Sequence, residues 1–248
     1  MTLQSSGPID FGQINVELGL PVNTQISLND GITRCLSGLL SGTVGMNSFY
    51  NKSMTAIAAN PTIMASIAAN PTAMNAVIAS PTACAAIKAS PTAITALDNS
   101  SPIHIPTMTS DTTPSGVASA DSVHQGTYLA YLAMNKNIIP DSGWGNSKTY
   151  GWIQYKFTTP VWCYKMTLYN NWSAVPTLII PKNIIIQYSN DGVTFSNALT
   201  TINPQILGLQ TFIISAPNSK ALYWRLNILD NWGCPSNTAV LELDFFCK

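Results

Sequence analysis

The stretch Gly151-Trp152-Ile153-Gln154-Tyr155-Lys156-Phe157, followed by Trp162-Cys163-Tyr164-Lys165-Met166-Thr167-Leu168, decides how the second half of the chain folds. Ile153, Tyr155 and Phe157 alternate with Gln154 and Lys156; Trp162, Tyr164, Met166 and Leu168 alternate with Cys163, Lys165 and Thr167. Successive side chains of a strand point to opposite faces, so each run predicts a strand with one apolar face. The same period recurs at Ile184, Ile186 and Tyr188, at Phe212 and Ile214, and at Leu222, Trp224, Leu226 and Ile228. It closes the chain at Leu241, Leu243, Phe245 and Cys247, with Glu242 and Asp244 expected to face outward. Runs of this kind, separated by turns such as Asn190-Asp191-Gly192, predict an antiparallel β-sandwich over residues 114–248. Roughly 130 residues suffice for one core.

Upstream the period changes. Residues 54–99 repeat every ten: MTAIAANPTI, MASIAANPTA, MNAVIASPTA, CAAIKASPTA, ITALDNSSPI. Asn60, Asn70, Ser80 and Ser90 are helix N-caps, each followed by a proline (61, 71, 81, 91) at the first helical position, where the missing N–H has no partner to lose. The larger apolar residues stand three apart, as Met54/Ile57, Met64/Ile67, Met74/Val77, Cys84/Ile87 and Ile94/Leu97, which sets both on one helix face. Helices this short are unstable alone. Stacked units, or the same units from other chains around an axis, would shield them, and the expectation is an ordered, oligomeric stalk. Residues 1–53 read as a small mixed region with turns at Ser6-Gly7-Pro8, Asn29-Asp30-Gly31 and Ser41-Gly42. One short amphipathic helix is expected between Leu28 and Leu40, with Asn29 or Asp30 as its cap. Residues 100–113 break the repeat phase and read as a hinge carrying His104. The expected fold class is therefore multi-domain: a mixed N-terminal region, a short-helix stalk and a C-terminal jelly-roll sandwich.

Composition narrows the function. Only 9% of residues are charged and the formal net charge is zero, so the clustered Lys and Arg that a nucleic-acid partner needs are missing. No apolar run approaches the roughly 20 residues of a membrane span, so no membrane insertion is expected, and the first 19 residues do not read as a secretory signal. The five cysteines form no CxxC pair. A bridge from Cys234 to Cys247 or Cys163 is open, but buried free thiols are the expectation. His124 stands near Asp121 and Ser122, but no nucleophile elbow accompanies them. No paired carboxylates for glycoside hydrolysis are nominated either. The chain is not expected to be an enzyme.

The motifs of the C-terminal half, in order, are Gly151–Phe157, Pro181-Lys182-Asn183-Ile184, Ser189-Asn190-Asp191-Gly192, Tyr223-Trp224-Arg225-Leu226 and Leu241-Glu242-Leu243-Asp244-Phe245-Phe246. Their succession resembles the discoidin (coagulation-factor C-type, galactose-binding-like) domain. The resemblance implies an eight-stranded jelly roll that binds glycans or other surface ligands without a catalytic centre. It also implies that Trp144 and Trp152 pack beneath the sandwich, and that an early loop holds a structural calcium. The matching stretch, Ala133-Met134-Asn135-Lys136-Asn137, departs from that pattern with amides and a lysine, so no cofactor is expected. In the first 53 residues Ile26-Ser27-Leu28-Asn29-Asp30, Arg34, Ser41-Gly42 and Phe49-Tyr50-Asn51-Lys52-Ser53 resemble N-terminal segments of tailed-bacteriophage virion proteins, and the ten-residue repeats are similar to those of phage fibre shafts.

Sugar recognition needs a flat apolar face for the pyranose and amides or charges for its hydroxyls. Two loops supply both, Asn170-Asn171-Trp172 and Asp230-Asn231-Trp232. Trp172 and Trp232 are candidate stacking platforms or core rims, and Asn170, Asn171, Asn231 and Asp230 candidate polar partners. For Asn231 and Asp230, loop closure by their own side chains is the competing role. The resulting expectation is a virion-located, homotrimeric fibre-like protein that docks to other virion proteins through residues 1–53 and binds host-surface glycan through residues 114–248. The alternative is a purely structural baseplate or capsid-decoration protein.

Overall fold

The computed structural model describes residues 2–173, 177–215 and 219–248, in two compact units divided between Pro102 and Ile103. The first is helical: α1 (Phe11–Glu17), α2 (Gly31–Ser37), α3 (Met54–Ala58), α4 (Pro61–Ala68), α5 (Pro71–Ala79), α6 (Pro81–Lys88) and α7 (Pro91–Asn99). Asn60, Asn70, Ser80 and Ser90 cap α4 to α7, accepting first-turn N–H groups at 3.0 to 3.3 Å, and each helix opens on its proline. Ser53 caps α3 through Ala56 N. The sequence reading did not place α1, although Asp10 and Gln13 form a reciprocal capping box at its start. In α2, Asp30 occupies the cap position without capping: its carboxylate accepts from Ser27 N instead, and Gly38, at φ 76°, ends the helix early.

α5 stacks on α2, α6 on α3 and α7 on α4, so the path returns every three helices. Ile57, Ile67, Val77, Ile87 and Leu97 are buried to 2% exposure or less within one chain. Of the two ways in which the repeats could be shielded, stacking of units within one chain is the one observed. α2, from the first 53 residues, is the layer on which α5 rests. The serine caps tie the layers together: Ser90 Oγ donates to Ala58 O at 2.8 Å and Ser80 Oγ to Leu18 O at 3.2 Å.

The second unit begins at Ile103 and so includes residues 103–113 of the segment read as a hinge. Ile103 exchanges backbone hydrogen bonds with Cys247, and Ile105 and Met108 lie in the core at 1% exposure. Its strands are β1 (Val117–Ala120), β2 (Trp144–Asn146), β3 (Gly151–Val161), β4 (Cys163–Asn170), β5 (Asn183–Ser189), β6 (Ser196–Ile202), β7 (Gly208–Ile213), β8 (Ala221–Ile228), β9 (Thr238–Val240) and β10 (Glu242–Cys247). They form a five-stranded sheet, β1-β3-β8-β5-β6, a three-stranded sheet, β10-β4-β7, and the ribbon β2-β9, all antiparallel. Ile153, Tyr155, Trp224 and Leu226 from the first sheet meet Met166, Leu168, Leu243 and Phe245 from the second in one core.

Two expectations about facing change. Phe246 pairs with Lys165 but Cys247 with Cys163, so Tyr164 is an extra residue that shifts the parity of β4. Cys163 therefore joins the core with Met166 and Leu168, opposite Cys247, and the two form a disulfide; both had been expected as free thiols. Cys35, Cys84 and Cys234 are buried and lie outside this disulfide, and burial pushes the Cys35 thiol up to about 12. Trp144 is fully buried, whereas Trp152 is half-buried on the outer sheet face, where the Arg225 guanidinium lies 5.5 Å from its ring.

Candidate functional site

The loop after β1 returns over the β2–β9 ribbon. His124 N donates to Gly145 O at 2.6 Å and Gly145 N to Tyr128 O at 3.4 Å, which lays His124 and Tyr128 on the ribbon. Asn146 anchors the next step. Its side chain is fully buried and donates to Asp121 Oδ1 and to Tyr150 O, each at 2.9 Å, and Asp121 in turn accepts from Trp152 N. Gly151 is required beside this network, because a Cβ there would collide with Asn146 Nδ2 and the Asp121 carboxylate.

Over the ribbon lies a pocket of about 270 Å³ walled by Tyr128, Trp172, Ile179, Thr238 and Ala239, with His124, Asp141 and Asn237 as its polar rim. His124 and Tyr128 stand 5.8 Å apart between ring centroids, and Tyr128 and Trp172 5.6 Å, so three rings follow one another along the wall. His124 Nδ1 lies 3.0 Å from Ser147 Oγ. The carboxylate of Asp141 accepts from both the backbone N–H and the hydroxyl of Ser173. The Trp172 indole N–H has no partner among the described residues. A larger hollow of about 600 Å³ in the helical unit is lined by prolines, alanines, threonines, Asn99 and Ser100, with no aromatic or titratable group. It has less with which to orient a ligand.

The residues singled out in the two loops separate. Trp172 is a pocket wall, 7% exposed and packed against Ile179, Cys234 and Ala239, and so is not an open platform. Trp232 is half-buried: its indole N–H donates to Asn203 O at 2.9 Å, and Lys182 Nζ stands 4.9 Å from its ring centroid. Asn231 closes its own loop, donating to Cys234 O and Asn237 O and accepting from Gly233 N. Asp230 accepts from the backbone and side chain of Asn183. Asn170 is fully buried at the end of β4, both ends of its amide without a partner among the described residues. Asn171 is half-buried and does not line the pocket. His124 stands out in the sequence only beside Asp121 and Ser122, and Tyr128, Asp141, Asn237 and Thr238 carry no local signal there, because separate segments deliver them to the pocket.

The loop matched to a calcium position carries its own cation. Lys136, at φ 61°, sets its ammonium 2.9 Å from Asp244 Oδ2 and 3.7 Å from Glu242 Oε1, and its backbone N–H donates to Glu242 Oε2. Asp244 is further engaged by His104 Nδ1 at 2.9 Å and by Ile105 N. With a lysine neutralising the carboxylates, the donor set does not fit a calcium ion. Among the described residues no group of three His, Cys, Asp or Glu is placed to hold a metal. Glu242 was expected to face solvent but is 8% exposed, and burial pushes its carboxyl up to about 8.

No protein-family model matches the sequence, and no curated relative does. Among solved structures the chain is similar to CpGH89CBM32-5 of Clostridium perfringens, determined with GalNAc-β-1,3-galactose: 20% identity, 53% of this chain, 94% of that chain, TM-score 0.45. It is also similar to the family 32 carbohydrate-binding module of Streptococcus pneumoniae EndoD (16% identity, 53% and 96% of the chains, TM-score 0.44). A third is the family 32 module of C. perfringens NanJ, determined with galactose (15% identity, 53% and 93%, TM-score 0.45).

Proposed function

We propose that the C-terminal unit is a non-enzymatic carbohydrate-binding module whose ligand enters the pocket over the β2–β9 ribbon. The observation that carries this is the pocket's make-up: aromatic walls at Tyr128 and Trp172 with an imidazole, a carboxylate and an amide on the rim. A pyranose offers an apolar ring face and a girdle of hydroxyls, which calls for that combination. Asp141 is the one carboxylate among the lining residues, whereas glycoside hydrolysis in most families uses a facing pair. A glycan array probed with the full chain tests the reading, and binding to defined saccharides is the expected outcome.

For the chain as a whole we infer a fibre-like virion component, assembled in the host cytoplasm, that contacts other virion proteins through its first 53 residues. The support is the succession of N-terminal motifs from Ile26 to Ser53 together with the ten-residue repeats. A homotrimer would present three pockets and raise weak single-site affinity by effective concentration. Light scattering on the full chain tests it: three times the 26.6 kDa chain mass is expected, and the single mass counts against assembly.

A further inference from the structure

Resting on the carbohydrate reading above, we propose that Asp141 makes the pocket selective by charge: a sugar with a protonated amine is preferred to its neutral counterpart, and a sugar with a carboxylate is refused. The pocket's charge inventory carries this. Among the described residues Asp141, His124 and Tyr128 are the titratable ones that line it, and neither lysine nor arginine does. Neutral donors hold the Asp141 carboxylate, the backbone N–H of Ser173 at 2.9 Å and the Ser173 hydroxyl. Among the described residues no ammonium or guanidinium pairs with it. The flanking lysines are committed elsewhere, Lys136 to Asp244 and Glu242, and Lys148 to Asp121.

A carboxylate offers about four lone-pair sites, and Ser173 takes two, so acceptor capacity remains for a ligand. A hydroxyl donating to it makes an ordinary hydrogen bond, and an ammonium a charge-assisted one about twice as strong. A uronic carboxylate would bring a second negative charge beside the first across the apolar wall of Trp172, Tyr128, Ile179 and Ala239, and the two would repel. Charge thus orders the ligands, whatever configuration the ring hydroxyls select.

Two matched trios test this on the full chain near neutral pH: glucosamine, glucose and glucuronic acid, then galactosamine, galactose and galacturonic acid. Titrations are read by tryptophan fluorescence and by ligand-observed NMR. The expected order within a trio is amine, neutral, carboxylate, with about tenfold between steps. Asp141→Asn keeps side-chain size and tolerates the same backbone, here at φ 63°, and should bring a trio to within about threefold. Ser173→Ala removes one hydrogen bond but leaves the charge, and should preserve the order. A uronic acid bound as tightly as its neutral partner, or an order untouched by Asp141→Asn, overturns the charge assignment while neutral-sugar binding upholds the module. Loss of the order in Ser173→Ala as well as Asp141→Asn assigns the effect to loop shape and also overturns it. Failure of all six sugars to bind overturns both.

Discussion

The side-chain amide of Asn146 donates to Asp121 Oδ1 at 2.9 Å beneath the ribbon that carries the pocket. Through it the start of β3 and the return loop after β1 are held to one buried point. Gly151→Ala would drive a methyl into that contact. We expect a loss of about 2–3 kcal/mol in stability, as for other overpacked sites, and weaker saccharide binding, although Gly151 does not line the pocket. Denaturant melts followed by tryptophan fluorescence report this unit, since all six tryptophans lie at or beyond Trp144.

Glu242 gives the unit a pH signature. Its carboxyl is raised from 4.5 to about 8, chiefly by burial and against the pull of Lys136. Folding therefore favours its protonated form. That contribution is complete below about pH 4.5 and is lost progressively as pH rises towards 8. Glu242→Gln keeps a neutral group at every pH and should flatten this part of the profile, so that its advantage over the wild type grows with pH. A variant whose profile runs parallel to the wild type would show that Glu242 does not titrate in this window.

Lys136 stands where the resemblance places a calcium ion. Added calcium and added chelator should both leave the melting temperature of the wild type unchanged. Lys136→Met, which strips the ammonium from Asp244 and Glu242, should cost about 1–3 kcal/mol near neutral pH, a carboxylate being left short of its partner. Stabilisation of the wild type by calcium would contradict this.

The disulfide joins residues 84 apart in sequence, both fully buried. Cys163→Ala/Cys247→Ala should lower stability by about 4.5 kcal/mol, the loop-closure entropy of this separation. Equilibrium unfolding of the double variant, followed by tryptophan fluorescence, measures it.

In the helical unit, Ser90 Oγ both accepts from Ala93 N and donates to Ala58 O, whereas Asn60 makes its cap bond alone. Ser90→Ala should therefore cost about 1.5–2 kcal/mol, and Asn60→Ala about 1 kcal/mol. The helical circular dichroism signal follows this unit. Equal costs would mean that the bond between layers contributes nothing.

These cases show which features local sequence encodes. Caps at Asn60, Asn70, Ser80 and Ser90 and the inward pairs between them were legible, because a cap and its helix lie within a few residues. The stacking of α5 on α2 was not, since a ten-residue period does not say after how many helices the path returns. The alternation in β3 and β10 gave the sandwich, yet the Cys163–Cys247 pairing stayed hidden because one extra residue at Tyr164 flips the parity of β4. Of the pocket, only Trp172 was read from sequence, as an aromatic in a loop. Its companions His124, Tyr128, Asp141 and Asn237 come from separate loops that meet only once the β2–β9 ribbon forms.

Saccharide binding of the full chain, measured alongside Trp172→Ala, Asn237→Ala and Trp232→Ala, each confirmed folded by its melting curve, decides whether the ribbon pocket is the binding site. The account predicts that the wild type binds, that Trp172→Ala and Asn237→Ala weaken binding about tenfold or more, a loss of about 1.4 kcal/mol, and that Trp232→Ala leaves it within about twofold, because Trp232 lies outside the pocket. Binding that survives Trp172→Ala and Asn237→Ala but fails in Trp232→Ala would contradict the account and move the site to the loop after β8.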